Sequence, residues 1–365
     1  MLKYKDFINK GIVLFLFCSV VIALGESHGQ RRSKADNSPV TYEELYDAPY
    51  ELNKLFIHFQ PIYGEFWTAN INAGFGMEAT YMWDDKFTFN VQARKPYSQS
   101  FDLSRDQAVK TGRQDNTPNI YNYFQIGATY HIKDFETESE TKMYLYRKSY
   151  KGDKWAARVP RVAKIPSKLR KIYGARLGGM FYDATTNLNR VMEKQGVGFD
   201  QIKDPNGATL PPTYTDADGR EQENLIYGNF DVKGIYAGAS MTWIRNVAVD
   251  FDNKYQAGVD DLILTAYFDV LFAPSVTLQD IIYTEDGLNG GAPITRTYST
   301  EPIDLSKVGF RLGLEGKFNR ELSWGYNGEI GYRPGVKNRG FYAALKFSFP
   351  IYSTGLKYEV EAFGK

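Results

Sequence analysis

The chain has one cysteine and three histidines in 365 residues, and its formal net charge is only +1. Each shortage removes a class of function. Cys18 lies in an apolar stretch near the N-terminus, behind Phe17, where a lipidation signal needs a small residue. Beyond it no disulfide, thiol nucleophile or thiolate metal site can form. The histidines are His28, His58 and His131, and the sequence contains neither a His-x-Ser nor an Asp-x-His pair. With no legible acid–base couple the chain is expected not to be an enzyme. Asp216, Asp218 and Gly219 match part of a calcium loop, but Tyr214 and Leu225 would occupy its first and twelfth positions and cannot coordinate. No metal and no cofactor is expected. Balanced charge also argues against nucleic acid as a partner.

Long apolar runs are missing too. The longest, Ile12–Leu24, is too short for a membrane-spanning helix, which takes roughly 20 residues. It follows Lys3, Lys5 and Lys10 and precedes the small residues Ser27 and Gly29, the layout of a secretory signal peptide at 1–29. Residues 30–53 are polar, with a capping-box pair at Thr41 and Glu44 that would start a short helix, and read as a periplasmic leader or small plug.

From residue 54 onward the dominant pattern is alternation with period two. It is cleanest at the C-terminal end, where Val308, Phe310, Leu312 and Leu314 oppose Gly309, Arg311, Gly313, Glu315 and Lys317. In a strand these sets occupy opposite faces. Trp324, Tyr326, Ile330 and Tyr332, then Phe341, Ala343, Leu345, Phe347 and Phe349, then Leu356, Tyr358, Val360 and Ala362 repeat the scheme. Strands are expected at 54–66, 69–83, 86–96, 118–132, 140–149, 171–184, 229–244, 259–273, 306–318, 322–333, 339–351 and 355–363. Two more, around Val247–Phe251 and Val276–Ile281, would raise twelve to fourteen. Most are longer than soluble strands and suit a tilted bilayer crossing. A barrel also reconciles apolar rows with a mean hydropathy of −0.43, because only alternate residues face lipid. Aromatics make up 15% of the chain, as interfacial girdles require, and Trp67, Trp83, Trp243 and Trp324 fall near strand ends. The fold class is therefore an all-β transmembrane antiparallel barrel of 12–14 strands over 54–365, with long loops at 97–117, 150–170, 185–228 and 274–305.

The last strand resembles the assembly signal of Gram-negative outer-membrane β-barrel proteins: Ser353, then Gly355, then Tyr358 and Val360. That resemblance implies integral residence in the outer membrane, contact with its lipid, and insertion by the barrel-assembly machinery. The chain departs from the pattern by ending on Gly364 and Lys365 after Phe363. No segment has the size of the plug domain of TonB-dependent transporters, which argues against active uptake.

Two sets of residues carry the functional reading. Glu78, Arg94, His131, Arg176, Asp269, Arg311, Glu315, Lys317, Glu329, Arg333, Lys346 and Glu359 are expected to face the lumen, with Arg311 opposite Glu329 and Lys346 opposite Glu359 as cross-strand ion pairs. Arg147, Lys148, Lys151, Lys154, Arg158, Arg161, Lys164, Lys168, Arg170 and Lys171 form a basic segment suited to an anionic surface, either lipopolysaccharide phosphates or an envelope protein partner. Matched inward charges favour a filled barrel that serves as a membrane anchor or assembly partner in a cell-envelope complex. The alternative is a passive porin-like channel for small solutes.

Overall fold

The computed structural model describes residues 41–111, 114–145, 161–216, 218–251, 257–285, 292–320 and 323–354. The compact unit that starts at Tyr42 is built on one closed antiparallel barrel. Its ten strands are β1 (Leu55–Trp67), β2 (Ile71–Trp83), β3 (Phe87–Pro96), β4 (Asn122–Leu145), β5 (Arg161–Asn187), β6 (Tyr227–Ile244), β7 (Leu262–Leu278), β8 (Val308–Phe318), β9 (Gly325–Tyr332) and β10 (Phe341–Ser353). Each pairs with its neighbour in sequence, and β10 closes the ring on β1, with Tyr342 opposite Trp67 and Ser353 opposite Phe56. Two short helices, α1 (Leu103–Val109) and α2 (Leu188–Gln195), lie in the connections. Among the described residues no helix is long and apolar enough to cross a membrane.

The count of ten corrects the expected twelve to fourteen. The stretches 118–132 and 140–149 belong to one strand, because β4 stays paired to β5 from Asn122–Asp183 to Leu145–Arg161 with a single irregularity at His131/Lys133. Val247–Phe251 pairs with Tyr42–Asp47 and Gly258–Asp260 outside the barrel. Val276 and Leu278 end β7, and Ile281 opens a separate hairpin with Ile294–Tyr298. The expected strand 355–363 lies outside the described residues. Two local readings change as well. Residues 161–170, expected in a loop, are the start of β5. Tyr42–Asp47, expected to begin a helix, is a strand, since pairing with an apolar partner overrides the capping preference of Thr41 and Glu44.

With β4 read as one strand, the three longest links, 97–121, 188–226 and 279–307, share one end with 68–70 and 333–340, called here the loop end. The links 84–86, 146–160, 245–261 and 319–324, the start of β1 and the end of β10 share the other, the terminal end. There β4 and β5 run on as a two-stranded ribbon for roughly 30 Å beyond the last pairing with β6, at about 3.3 Å per residue. In this ribbon Thr141, Met143, Leu145, Ala163 and Ile165 are buried, as are Val247, Ala248, Val249 and Phe251 of the small sheet. Hydrogen bonds from Thr141 Oγ1 to Asp260 and from the Lys168 N–H to Asp47 join the ribbon to that sheet.

The outward barrel face forms a belt. Along β8 it reads Val308, Phe310, Leu312, Leu314, and along β10 Phe341, Leu345, Phe347, Phe349, Ile351, all exposed. Tyr173, Leu177 and Phe181 of β5 and Phe268, Val270 and Phe272 of β7 continue it. Among the described residues no charged side chain interrupts these rows between Val308 and Phe318 on β8 or between Phe341 and Ile351 on β10. Eleven residues of β8, tilted as barrel strands are, give a belt about 25 Å tall. Trp83 and Trp324 are exposed at its terminal edge. Trp67 reverses expectation. It is 1% exposed inside the barrel, because the β1 bulge between Gln60 and Tyr63 shifts its phase inward.

Inside the wall, large side chains lie flat over glycine. The space a Cβ would fill at Gly313 is taken by the Tyr267 ring, and Tyr236 does the same over Gly127 and Gly178. Substituting Gly313→Ala should therefore lower stability by about 1–3 kcal/mol through overpacking. Removing the ring with Tyr267→Ala should cost more still, about 3–5 kcal/mol, because it leaves a cavity and takes a hydroxyl donor from buried Glu329. The temperature at which the folded band disappears on a semi-native gel measures both, and an unchanged temperature for Gly313→Ala would contradict the packing.

Candidate functional site

The inward rows converge on a chain of charges across the lumen. Alternation turns Glu65 of β1, Arg94 of β3, Arg176 of β5, Asp269 of β7, Arg311 of β8 and Glu329 of β9 toward the axis, and Arg333 follows directly after β9. Arg94 Nη1 donates to Glu65 Oε2 at 3.1 Å. Arg333 meets Glu65 as a fork, Nη1 to Oε1 at 2.7 Å and Nη2 to Oε2 at 2.9 Å. Glu329 lies 3.8 Å from both Arg333 and Arg311, and Arg311 Nε donates to Asp269 Oδ2 at 2.7 Å. Arg176 Nε completes the run on Asp269 Oδ1 at 2.9 Å. The order Arg94, Glu65, Arg333, Glu329, Arg311, Asp269, Arg176 alternates in sign from end to end.

Such burial is tolerable only if lone pairs and N–H groups are occupied. Tyrosines supply much of this. Tyr342 and Tyr267 hydroxyls donate to Glu329 at 2.5 and 2.8 Å, and Tyr121 donates to Glu65 at 3.3 Å. Arg311 Nη1 donates to Gln125 Oε1 at 2.6 Å. Guanidinium faces stack on rings as well: Arg333 on Tyr342 at 3.9 Å, Arg94 on Tyr123 at 4.0 Å, Arg176 on Tyr267 at 4.2 Å and Arg311 on Tyr236 at 4.4 Å. Stacking of this kind suits arginine and would not suit lysine.

Side chains pack against both sides of this layer. Toward the loop end Trp67 packs edge-on against Tyr121, Tyr182 and Phe230 at 5.5–6.3 Å. Leu188, Val191 and Met192 of α2 continue the same core with Ile202, Leu210, Ile226 and Tyr298 from the long loops. The loops thus fold over the mouth as a lid. Asp102 anchors one of them, accepting from Asn70 Nδ2 at 2.8 Å and from the backbone of Tyr121 at 3.0 Å while it caps α1. Burial pushes its carboxyl above the ordinary range despite those donors.

Toward the terminal end lies a small polar chamber of ≈ 70 Å³, bordered by Glu78, Gln92, Thr265, Glu315, Lys317 and Lys346. That is room for roughly five waters. Lys317 pairs with Glu315 at 3.0 Å, Lys346 donates to Gln92 at 3.2 Å, and Gln60 donates to Glu78 at 2.8 Å. Its floor is apolar: Phe56, Ile172, Ile244 and Ile263, packed by Leu52 and Met82. Asn319 and Asn246 side chains then tie the segment Ala48–Asn53 across the terminal end.

Of the expected lumen residues, Arg94, Arg176, Asp269, Arg311, Glu329 and Arg333 join the ion chain, and Glu78, Glu315, Lys317 and Lys346 line the chamber. His131 sits at the chamber rim between Thr88 Oγ1 and the Asp85 carbonyl. Glu359 lies outside the described residues. The pair Arg311–Glu329 forms diagonally, since Arg311 faces Gly331 and Glu329 faces Gly313. The residue directly opposite Arg311 is Asp269, a register hidden in the sequence by the long 279–307 link. Glu65 was not anticipated, although an acid in the otherwise uncharged strand 55–67 is the signal that marks it.

Among the described residues of the basic segment, Lys164, Lys168 and Arg170 meet carboxylates. Lys164 and Lys168 face Glu140 and Glu136 at 3.6 and 3.7 Å. Arg170 is buried against Tyr50 and clamps Asp134 and Asp85, so it fastens the terminal end. Lys171 remains on the outer wall beside Trp243. Arg147, Lys148, Lys151, Lys154 and Arg158 lie outside the described residues, as do Gly355, Tyr358 and Val360. The Arg161 side chain is not described. Ser353 ends β10.

No family model and no curated protein matches the chain. Among solved structures it is similar to one described as a CymD monoaromatic hydrocarbon channel, at 5% identity, over 85% of this chain and 94% of that one, with a TM-score of 0.22. At that score nothing about this chain is argued from the likeness.

Deleting one partner in a buried ion network leaves the others charged and dry, which costs about 3–5 kcal/mol. Glu65→Ala should destabilise the barrel by that amount in urea refolding into detergent. Adding Arg333→Met to Glu65→Ala should cost much less than the two single losses summed. Additive losses would show that Glu65 and Arg333 are not coupled.

Proposed function

We propose that this chain is an integral outer-membrane β-barrel with a sealed lumen, acting without catalysis as a membrane anchor or assembly partner in a cell-envelope complex. Membrane residence is supported by the uncharged outward belt, about as tall as a bilayer's hydrocarbon core in such barrels. The three longest links at one end, with the start of β1 and the end of β10 at the other, support an orientation with the lid outside and the ribbon in the periplasm.

The observation that carries the sealed reading is the alternating ion chain. Its members come from β1, β3, β5, β7, β8 and β9 and the residue after β9, so they reach across the lumen from most of the wall. Opening a path would strand several charges at once. The lid above and the apolar floor beneath close the two remaining routes. What is left for interaction is the periplasmic ribbon with its small sheet, and the loop surface outside.

The purified full chain in planar bilayers should give no unitary conductance steps at neutral pH, while the same preparation shows the mobility shift of a folded barrel on unboiled gels. Discrete steps from folded protein would overturn the sealed reading in favour of a passive channel.

A further inference from the structure

A cleft of ≈ 350 Å³ opens on the outer wall at the terminal edge of the belt, lined by Leu169, Trp243, Arg245, Leu262 and Leu264. Its size is that of a small-ligand pocket. The register explains its make-up. On the outward face of β5, β6 and β7, Lys171, Trp243 and Leu264 stand in one row, and just below it the backbone of Arg245 bonds to Leu262. Two cations therefore flank an indole and a pair of leucines at the boundary where the uncharged belt ends. The cleft exists because β5 continues into the ribbon, carrying Leu169 past the last paired residue of β6, Ile244, which lies opposite Arg170.

The cations are under-neutralised. Arg245 is about one-third exposed in its side chain, and its carboxylate partner, Asp260, is 3.5 Å away, long for a hydrogen-bonded pair. Its Nε has no acceptor among the described residues. Lys171 has no carboxylate within 4 Å among the described residues, in contrast to Lys164 and Lys168 further along the same strand. An apolar trough continuous with the belt accepts an acyl chain. The flanking cations at its outer lip then meet a phosphate and its surplus negative charge.

We propose that this cleft is a binding site for an anionic glycerophospholipid of the periplasmic leaflet, one acyl chain passing Trp243 along Leu262 and Leu264 into the belt, and the phosphate held between Arg245 and Lys171. The inference rests on the membrane reading above and adds a lipid class and its contact residues. It gives Lys171, the one described member of the basic segment left without a carboxylate or a burying contact, a partner.

Trp243 provides the readout. The full chain, reconstituted into phosphatidylcholine vesicles, is titrated with lipid brominated on its acyl chains, either phosphatidylglycerol or phosphatidylcholine, and the Trp243 component is isolated by subtracting Trp243→Phe. That component should be quenched by brominated phosphatidylglycerol with an affinity about fivefold or more above that for phosphatidylcholine. The variant Arg245→Gln with Lys171→Gln should lose the preference while its quenching by phosphatidylcholine and its mobility shift on unboiled gels stay at wild-type values. Equal affinities in the wild type, or a preference that survives in the double variant, would overturn the lipid site while leaving membrane residence intact. A Trp243 signal untouched by either brominated lipid would overturn membrane residence itself.

Discussion

The fork between Arg333 and Glu65 is the contact on which the rest of the lumen depends. Glu65 also receives Arg94, and Arg333 also approaches Glu329, which in turn faces Arg311. A carboxylate this deeply buried stays ionised only if its counter-charges are fixed. Those counter-charges are held by distant strands, so the network and the closed barrel require each other. Closure of β10 on β1 fixes Glu65 within reach of Arg333, and the filled network in turn gives the strands one register.

Around that layer the chain solves two opposite solvation problems with one alternation. Residues at even spacing along β8 present Phe310, Leu312 and Leu314 outward and Arg311 and Gly313 inward, so one strand faces an apolar exterior and an ionic interior. Glycine at the inward positions gives room for Tyr267 and Tyr236, whose ring faces meet the arginines while the Tyr267 hydroxyl donates to Glu329 and the Tyr236 hydroxyl accepts from Gln125. The loops add the third part, an apolar lid built on Trp67, Tyr182 and Phe230. The consequence for function is that solute passage would require the lid, the ion chain and the floor of Phe56, Ile244 and Ile263 to part together.

Much of this was legible in the sequence because period two is a local signal. The belt rows, the inward facing of Arg94, Arg176, Asp269 and Arg311, and the presence of ion pairs all follow from alternation alone. Register across long links does not. Asp269 and Arg311 are directly paired, yet the link 279–307 separates them, and only the folded barrel brings them opposite each other. The strand count failed at 133–139, around Glu136 and Glu138, where a strand outside the belt has no apolar row and reads as a loop. Trp67 was misplaced by the bulge in β1, which a sequence pattern does not reveal, and the lid was invisible because loop packing has no period.

The central claim is that the chamber around Ser240 is cut off from both aqueous sides. The sequence has a single cysteine, Cys18, in the segment expected to be a cleaved signal peptide, so a cysteine introduced by Ser240→Cys would be a unique probe of the chamber wall. The reconstituted barrel carrying it should resist a small charged thiol reagent added to both sides, and should react fully once boiled in detergent. A Glu301→Cys control at the exposed loop end should react at once. Modification of Ser240→Cys in the folded barrel at a rate near that of the control would contradict the sealed lumen.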